Sequence, residues 1–245
     1  MIYLDEYLYF AIFGQTNSFL NMNVAVLLAG GSGRRMGGPE PKQFIEIAGR
    51  TILEHSIRAF HQHNDIDRII IVSHADYIER VEEIAAPYPK VLKVVAGGKE
   101  RYDSTLNAIK VAEPGDNLLI HDSVRPLVSQ RIISDCLEAL KKYNAVDVAI
   151  PCTDTIVEVD ESGKICRIPQ RSTLRNVQTP QCFTLGTISK AYEIGLKDPG
   201  FVTTDDCGVV HRYLPEEPIF VVTGETTNIK ITYPEDLILA NNILK

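Results

Sequence analysis

Short apolar runs alternate with amphipathic stretches along most of this chain. Residues 24–29, VAVLLA, are continuously apolar, as expected of a strand buried on both faces of a parallel sheet. Residues 51–63 instead place their apolar side chains three and four positions apart, which is the spacing of one helix face. Thr51 opens that stretch and Glu54 follows three positions later, a pattern typical of a helix start. These segments predict a strand followed by a helix.

The same alternation continues to residue 151. Further strands are predicted at 68–73, 91–98, 117–126 (where the strand runs into a loop) and 145–151, and further helices at 76–85, 101–112 and 129–143. A repeated strand–helix order indicates an α/β fold, a mostly parallel central sheet with helices on both faces. Ligands bind at the carboxyl ends of the strands in such sheets, so the loops after Leu28, Ala96 and His121 are candidate binding loops.

The pattern changes after Ile150. Residues 154–168, DTIVEVDESGKICRI, predict two short strands joined by a turn at 161–163. A hairpin appended to an α/β sheet has faces that must be covered, and packing against a second copy of the chain would cover them. The rest of the chain predicts helices at 185–196 and 205–214, strands at 219–224 and 228–232, and a last helix from Pro234.

Composition and charge limit the class of protein. The chain has 245 residues, 44% of them apolar, and a formal net charge of -7, which favours one domain with a substantial core. The negative balance argues against nucleic acid or a membrane surface as the partner. No apolar run is long enough to span a bilayer, and the five scattered cysteines form no C-x-x-C pair. We therefore expect a cytoplasmic protein with reduced thiols rather than a disulfide framework or a zinc site.

The first 21 residues stand apart from this pattern. They lack a basic segment and carry Asp5 and Glu6 early, so they do not resemble a signal peptide. We expect residues 1–21 to be an extension peripheral to the fold, explained most simply by an upstream start codon, since Met22 directly precedes the first strand. The predicted domain is 22–245, with a β-arm at 152–170 used in dimerisation.

The stretch 27–44, LLAGGSGRRMGGPEPKQF, follows the first strand directly and concentrates positive charge in an acidic chain. A dinucleotide-binding fingerprint fails because its last glycine position is Met36, and a Walker loop fails because proline and glutamate follow its second glycine. The remaining anion-binding hypothesis is a loop that wraps a nucleoside triphosphate with backbone amides and with the cations Arg35 and Lys42. A surface loop with solvated arginines is the non-functional alternative.

Six motifs occur in one order along the chain: LAGGSGRRMG, PKQF, GGKERYDS, HDSVRP, QTPQCF and NIKITYPEDL. Together they resemble the polyol-phosphate cytidylyltransferases, which include enzymes for 2-C-methyl-D-erythritol 4-phosphate and for ribitol 5-phosphate. The resemblance covers 24–245 and implies a Rossmann-like nucleotidyltransferase fold with a protruding β-hairpin arm. It also implies CTP and a small polyol phosphate as substrates, Mg²⁺ as cofactor and a homodimer formed through the arm.

The implied reaction is attack of a phosphate monoester oxygen on the α-phosphorus of CTP, with release of pyrophosphate. A phosphate dianion is already a nucleophile, so alignment and charge neutralisation suffice. The resemblance assigns Arg35 and Lys42 to the triphosphate, and Arg171 and Lys230 to the acceptor phosphate. The nucleotide-binding residues that it implies are Leu28, Ala29, Gly30, Gly31, Gly98, Arg101, Ser104, Asp122 and Ser123. For Ser104, a position facing solvent explains the motif equally well.

Asp122 is also the expected Mg²⁺ ligand, because it ends a strand and Mg²⁺ prefers oxygen ligands. The residues that the resemblance places around the polyol are Thr155, Thr204 and Asp205. Arg125 is expected either to order its loop or to touch the second substrate. Arg171 lies just beyond the hairpin, so it would complete the partner's site if the hairpin crosses to a second subunit. His121 is interpreted as a packed structural histidine, and the other histidines, including His61 and His63, are expected to be exposed.

The acceptor is expected to be D-ribitol 5-phosphate, which would give CDP-ribitol. LAGG, HDSVRP and DTIVE resemble the ribitol branch more than the AAG, HDAARP and DTIK of methylerythritol enzymes, whereas RRM resembles the latter. The alternative is therefore 2-C-methyl-D-erythritol 4-phosphate, an intermediate of isoprenoid biosynthesis. More distant alternatives are a non-catalytic nucleotide-binding module, a sugar-1-phosphate nucleotidylyltransferase and a dinucleotide-dependent oxidoreductase.

Overall fold

The computed structural model describes residues 21–31 and 40–244. Its strands are β1 Asn23–Ala29, β2 Glu46–Ile47, β3 Arg50–Thr51, β4 Arg68–Ser73, β5 Val91–Ala96, β6 Asn117–Asp122, β7 Ala145–Pro151, β8 Glu158–Val159, β9 Ile165–Arg167, β10 Arg175–Thr184 and β11 Ile219–Thr223. Its α-helices are α1 Ile52–His61, α2 Ile78–Ala85, α3 Arg101–Ile109, α4 Gln130–Leu140, α5 Leu185–Gly195, α6 Asp206–Tyr213 and α7 Pro234–Leu244. The predicted extension at 1–21 lies, apart from its last residue, outside the described residues.

Seven strands form one sheet in the order β11-β7-β10-β6-β1-β4-β5. Neighbouring strands are parallel, except that β10 runs antiparallel to both β6 and β7. The predicted mostly parallel sheet is therefore confirmed. Strands β6, β1, β4 and β5 are consecutive in this order, so their carboxyl ends, where the predicted binding loops begin, lie side by side.

Strand β1 shows how the sheet is covered on both faces. Its side chains alternate between two buried clusters: Ala25 belongs to a cluster that includes side chains of α1 and α4, whereas Val24 belongs to one that includes side chains of α3, α5 and α6. Neither face of such a strand contacts water, which explains why the sequence of β1 is continuously apolar. The Thr51 cap predicted for α1 is also present, because Thr51 Oγ1 accepts a hydrogen bond from the Glu54 amide at 3.1 Å.

The predicted hairpin is confirmed as a separate two-stranded sheet of β8 and β9. Gly163 takes the positive φ of 79° that its turn requires. Residues 153–168 are all exposed. The large apolar side chains among them are Ile156, Val157, Val159, Ile165 and Ile168. Packing of the 152–170 arm against a second subunit stays a prediction.

Several segments differ from the prediction, among them the short strands β2 and β3, which were not predicted. The strand predicted at 228–232 is wrong: this segment crosses the sheet end as an irregular loop, tied by the Ile231 amide to Val124 O at 2.9 Å. Asn228 is fully buried there, and its side-chain amide donates to Thr179 O at 2.9 Å instead of lying in a strand ladder. Conversely, β10 was not predicted, although it lies between β6 and β7. None of the helices in the described part of the chain is long and apolar enough to cross a bilayer.

Candidate active site

A cleft of about 780 Å³ opens at the carboxyl ends of the parallel strands. Its walls come from the loops after β1, β4, β5 and β6, together with the loop before α7. The predicted site residues that line it are Leu28, Ala29, Gly30, Gly31, Lys42, Gly98, Arg101, Ser104, Asp122, Ser123 and Lys230. Residues separated by as much as 202 positions, from Leu28 to Lys230, thus meet in one place.

The loop after β5 closes tightly onto the start of α3. The Asp103 side chain accepts a hydrogen bond from the Glu100 amide at 3.0 Å, which caps the helix. A Cβ atom on Gly98 would lie only 2.2 Å from Asp103 Cβ, so no other residue fits that position without displacing the cap. Glycine at 98 therefore lets the backbone form the cleft wall.

Asp122 ends β6 and is held between two cations. Its Oδ2 accepts a hydrogen bond from Lys230 Nζ at 2.7 Å, and its Oδ1 lies 3.6 Å from Arg101 Nε. Burial opposes ionisation, but the charges of Arg101 and Lys230 outweigh it and hold the pKa of the Asp122 carboxyl well below its usual range. The carboxylate is therefore ionised at every physiological pH.

Arg101 is held in place by the buried carboxylate of Asp206. Its Nη1 donates to Asp206 Oδ2 at 2.5 Å, and the Tyr192 hydroxyl donates to the other Asp206 oxygen at 2.6 Å. Burial would lower the pKa of Arg101, but Asp206 and Asp122 together raise it above its ordinary value. Asp205 of the TTDD motif was predicted as a site residue and Asp206 was not; the doubled aspartate at a predicted helix start was the available signal.

Lys42 belongs to a 3₁₀ turn, Lys42–Phe44, that is tied to two parts of the cleft. Its Nζ donates to Ile231 O at 2.7 Å, next to Lys230. The neighbouring Gln43 donates from Nε2 to Ala29 O at 2.7 Å, at the end of β1. Lys42 is only 8% exposed, so its charge is held in place rather than solvated. The second predicted triphosphate cation, Arg35, lies outside the described residues.

Five of the predicted residues that the structure describes lie outside this cleft, and one of them is Arg125. Thr204 and Asp205 line a smaller depression of about 300 Å³, which shares Glu100 and Arg101 with the cleft. Thr155 and Arg171 lie on or just after the arm. Both are exposed, and Arg171 Nη1 donates to Thr153 O at 3.2 Å. Within a single chain, Arg171 is therefore not one of the residues that line the cleft with Lys230.

Arg125 also lies behind the cleft rather than in its wall. Its Nη1 donates to Asn228 O at 2.8 Å and its Nη2 lies 3.4 Å from Val177 O. These bonds order the loop that carries Lys230. Of the two roles considered for Arg125, ordering a loop and touching the second substrate, the contacts within the chain support the first.

The chain is also similar to proteins of known function. The family model described as IspD, 2-C-methyl-D-erythritol 4-phosphate cytidylyltransferase, matches residues 23–245. The chain belongs to this family. It is a nucleotidyltransferase, specifically a cytidylyltransferase.

Relatives within the family carry two different names. The chain is 48% identical over 231 residues to the bifunctional ribulose 5-phosphate reductase/CDP-ribitol pyrophosphorylase Bcs1 of Haemophilus influenzae, covering 92% of this chain and 48% of that longer protein. It is 46% identical over 230 residues to the 2-C-methyl-D-erythritol 4-phosphate cytidylyltransferase of Thermobifida fusca, covering 90% and 92% of the two chains. The relatives therefore do not decide the acceptor.

Solved structures of the family have the same fold. The 4-diphosphocytidyl-2C-methyl-D-erythritol synthase of Anaerococcus prevotii superposes with a TM-score of 0.82 at 33% identity, covering 91% of this chain and 98% of that one. The 2-C-methyl-D-erythritol 4-phosphate cytidylyltransferase of Thermus thermophilus superposes with a TM-score of 0.73 at 28% identity, covering 91% and 99%. The Rossmann-like nucleotidyltransferase fold is thereby confirmed.

His121 is a structural residue, as the sequence predicts. It is fully buried, its Nε2 lies 3.1 Å from Arg125 O and its Nδ1 lies 3.0 Å from Thr179 Oγ1. Burial lowers the pKa of His121 to about 4, so the ring is neutral at neutral pH. Both nitrogens are engaged, which leaves His121 no free base for the family's reaction.

Asp147, on β7, has a raised pKa, so the free energy of unfolding is expected to depend on pH through this residue. Burial raises its pKa to about 6; the Asp205 charge acts in the same direction, and the Gln181 hydrogen bond acts against it. The folded protein thus binds this proton more tightly than the unfolded chain. The ionised carboxylate costs up to about 3 kcal/mol above pH 6, and this cost disappears as the pH falls towards 4.

Asp147→Asn is therefore expected to raise the free energy of unfolding at pH 8 and to leave it nearly unchanged at pH 4. Urea unfolding of both proteins at the two pH values measures this difference. His121 titrates in the same range with the opposite sign, but it is present in both proteins and cancels in the comparison. If the two proteins differed equally in free energy of unfolding at both pH values, the raised pKa of Asp147 would be contradicted.

Proposed function

We propose that this cytidylyltransferase transfers CMP from CTP to D-ribitol 5-phosphate, giving CDP-ribitol and pyrophosphate. The observation that carries the proposal is that Arg101 and Lys230, which flank Asp122, share one cleft at the strand ends with Lys42. Fixed cations of this kind suit a reaction in which negative charge accumulates on phosphate oxygens. The net charge of the chain is -7, so a cluster of cations in the cleft stands out, and it lies where the phosphates of the substrates would bind.

The proposed step needs no general base. An oxygen of the acceptor phosphate, already ionised, forms a bond to the α-phosphorus of CTP. The bond from that phosphorus to the bridging oxygen breaks, and the electron pair leaves with pyrophosphate. Lys42 and Arg35 would stabilise charge on the triphosphate, while Lys230 and Arg171 would hold the incoming phosphate in line.

The nucleotide would lie along the backbone of 28–31 and against the loop at Gly98. Ser104 supports this placement because it is buried beside Gly30, where a Cβ atom would lie 3.6 Å from Ser104 Oγ. The solvent-facing alternative for Ser104 is therefore wrong. Glycine at 98 would let backbone N–H and C=O groups approach the edge of the base.

Asp122 fits a role as the protein ligand of Mg²⁺. The described residues contain no group of three His, Cys, Asp or Glu side chains that could hold a metal ion by themselves. A site with one carboxylate is what Mg²⁺ needs when substrate phosphates and water supply its other ligands. Bound there, Mg²⁺ would offset the charge of the triphosphate, and Lys230 would then be available to the acceptor.

The polyol would extend towards the depression at Thr204. The residues that line this depression include polar side chains as well as Tyr102 and Phe201, whose ring centroids are 5.1 Å apart. Identity to the Haemophilus CDP-ribitol enzyme and the HDSVRP motif favour ribitol 5-phosphate. The family model and the Thermobifida relative favour 2-C-methyl-D-erythritol 4-phosphate, which is the second candidate.

The proposed assembly is a homodimer formed through the arm. An isolated two-stranded hairpin with exposed Ile156, Val159 and Ile165 is not a stable surface for a monomer in water. Packing the arm onto a second copy would bury these side chains and carry Arg171, four residues after β9, to the partner's cleft.

A pyrophosphate-release assay tests the acceptor. We expect kcat/KM with D-ribitol 5-phosphate to exceed that with 2-C-methyl-D-erythritol 4-phosphate by about 10-fold or more, because the ribitol chain is one carbon longer and lacks the methyl branch. Parallel reactions with UTP and ATP should be much slower than with CTP. The reverse acceptor preference would establish the second candidate, and no release with either polyol would overturn the proposal.

A further inference from the structure

One side chain of α2 contacts the polypeptide on both sides of Lys42. Arg80 forms an ion pair with Glu40, two positions before Lys42. The same guanidinium lies over the ring of Phe44, two positions after Lys42, at 4.2 Å from the ring centroid. Neither Glu40 nor Arg80 lines the cleft, and neither was selected from the sequence.

Phe44 provides the fixed end of this arrangement. It is 2% exposed, belongs to the buried cluster that covers one face of the sheet, and packs against the Tyr77 ring at 5.2 Å between centroids. Arg80 therefore links Glu40 to a part of the core that cannot move independently. Lys42 lies between the two linked residues, in a turn closed by the Phe44 amide bonding to Pro41 O at 3.0 Å.

We propose that Arg80 is a positioning residue that sets the location of the Lys42 ammonium in the cleft. The inference rests on the proposed function, in which Lys42 stabilises charge on the triphosphate. Arg80 does not touch the substrates; it holds the turn so that the ammonium already points at the reacting phosphates. A charge held in advance needs no reorganisation during the reaction, and small displacements of such a group reduce the rate strongly.

The Arg80 contacts are poorly suited to a purely stabilising role. The Arg80 and Glu40 side chains are 41% and 40% exposed. Ion pairs and cation–π contacts at that exposure contribute little to the free energy of unfolding. Loss of Arg80 should therefore affect catalysis much more than thermal stability, which separates positioning from general support of the fold.

A double-mutant cycle between Arg80 and Lys42 tests the inference. We expect Arg80→Ala to lower kcat about 10-fold with a nearly unchanged Tm. In a Lys42→Gln background the same substitution should cost nothing further, because the positioned charge is already gone. Glu40→Gln should reproduce part of the loss, and Arg80→Lys should recover part of it, since lysine keeps the ion pair without the planar stacking.

Arg68→Ala is the matched control, because Arg68 forms an ion pair with Glu113 at 3.1 Å at the amino end of β4, away from the cleft. It should leave kcat unchanged. If Arg80→Ala lowered kcat equally with and without Lys42, or did not lower kcat at all, the positioning role of Arg80 would be overturned while the proposed function would stand. Absence of pyrophosphate release by the unaltered protein would instead overturn the proposed function.

Discussion

Lys42→Gln is expected to lower kcat for pyrophosphate release by about 10²- to 10³-fold, the cost of removing one pre-aligned group that stabilises transition-state charge. The structure gives the reason for so large an effect. The ammonium is buried in the cleft wall and bonded to Ile231 O at 2.7 Å, so solvent does not compete for its charge. Glutamine can still donate to that carbonyl, and the fold should survive. Steady-state kinetics with saturating CTP and acceptor measure the loss.

Lys90→Gln provides the control for this substitution. Lys90 Nζ also donates to a backbone carbonyl, His63 O, at 2.6 Å, but Lys90 lies at the amino end of β5, opposite the cleft. It should retain full activity. Similar losses in the two variants would mean that the Lys42 effect is structural, and full activity of Lys42→Gln would remove Lys42 from the mechanism.

The sequence carried enough information for the sheet and for most of the cleft, because both depend on local patterns. A continuously apolar strand such as β1 must be buried on both faces, and the loops at the carboxyl ends of parallel neighbours must meet. That rule alone brought Gly30, Gly98 and Asp122 together. Lys230 could not be placed in the same way, because its segment was predicted to be a strand; only the resemblance to the family assigned it a role.

Other features depend on partners that are distant in the sequence. The buried part of β10 carries the polar side chains of Gln178, Thr179 and Gln181, which give it no apolar strand pattern. Groups distant in the sequence satisfy their hydrogen bonds. Gln181 Nε2, for example, donates to Asp205 Oδ2 at 2.9 Å. The expectation of an exposed His63 was wrong for the same reason: it is 5% exposed, with Nε2 at 2.9 Å from Ser134 Oγ, 71 positions away.

Subunits with complementary defects test the proposed dimer, and the expected effect is a recovery from near zero to about one quarter of normal activity. Lys42→Gln and Arg171→Ala proteins should each be nearly inactive. If Arg171 serves the partner's cleft, each mixed dimer combines an intact Lys42 from one chain with an intact Arg171 from the other in one of its two sites. Random reassociation makes about half of the dimers mixed, so about one quarter of all sites are intact.

The control pair for this experiment is Lys42→Gln with Lys230→Gln. Lys42 and Lys230 line the same cleft of one chain, so every site in their mixed dimers retains one defect and no activity should return. Recovery with Arg171→Ala but not with Lys230→Gln can arise only if the arm carries Arg171 across the interface. Equal failure of both pairs, with subunit exchange demonstrated by a label, would confine Arg171 to its own chain, where it is exposed and bonded to Thr153 O at 3.2 Å. The exposed apolar side chains of the arm would then need a different partner.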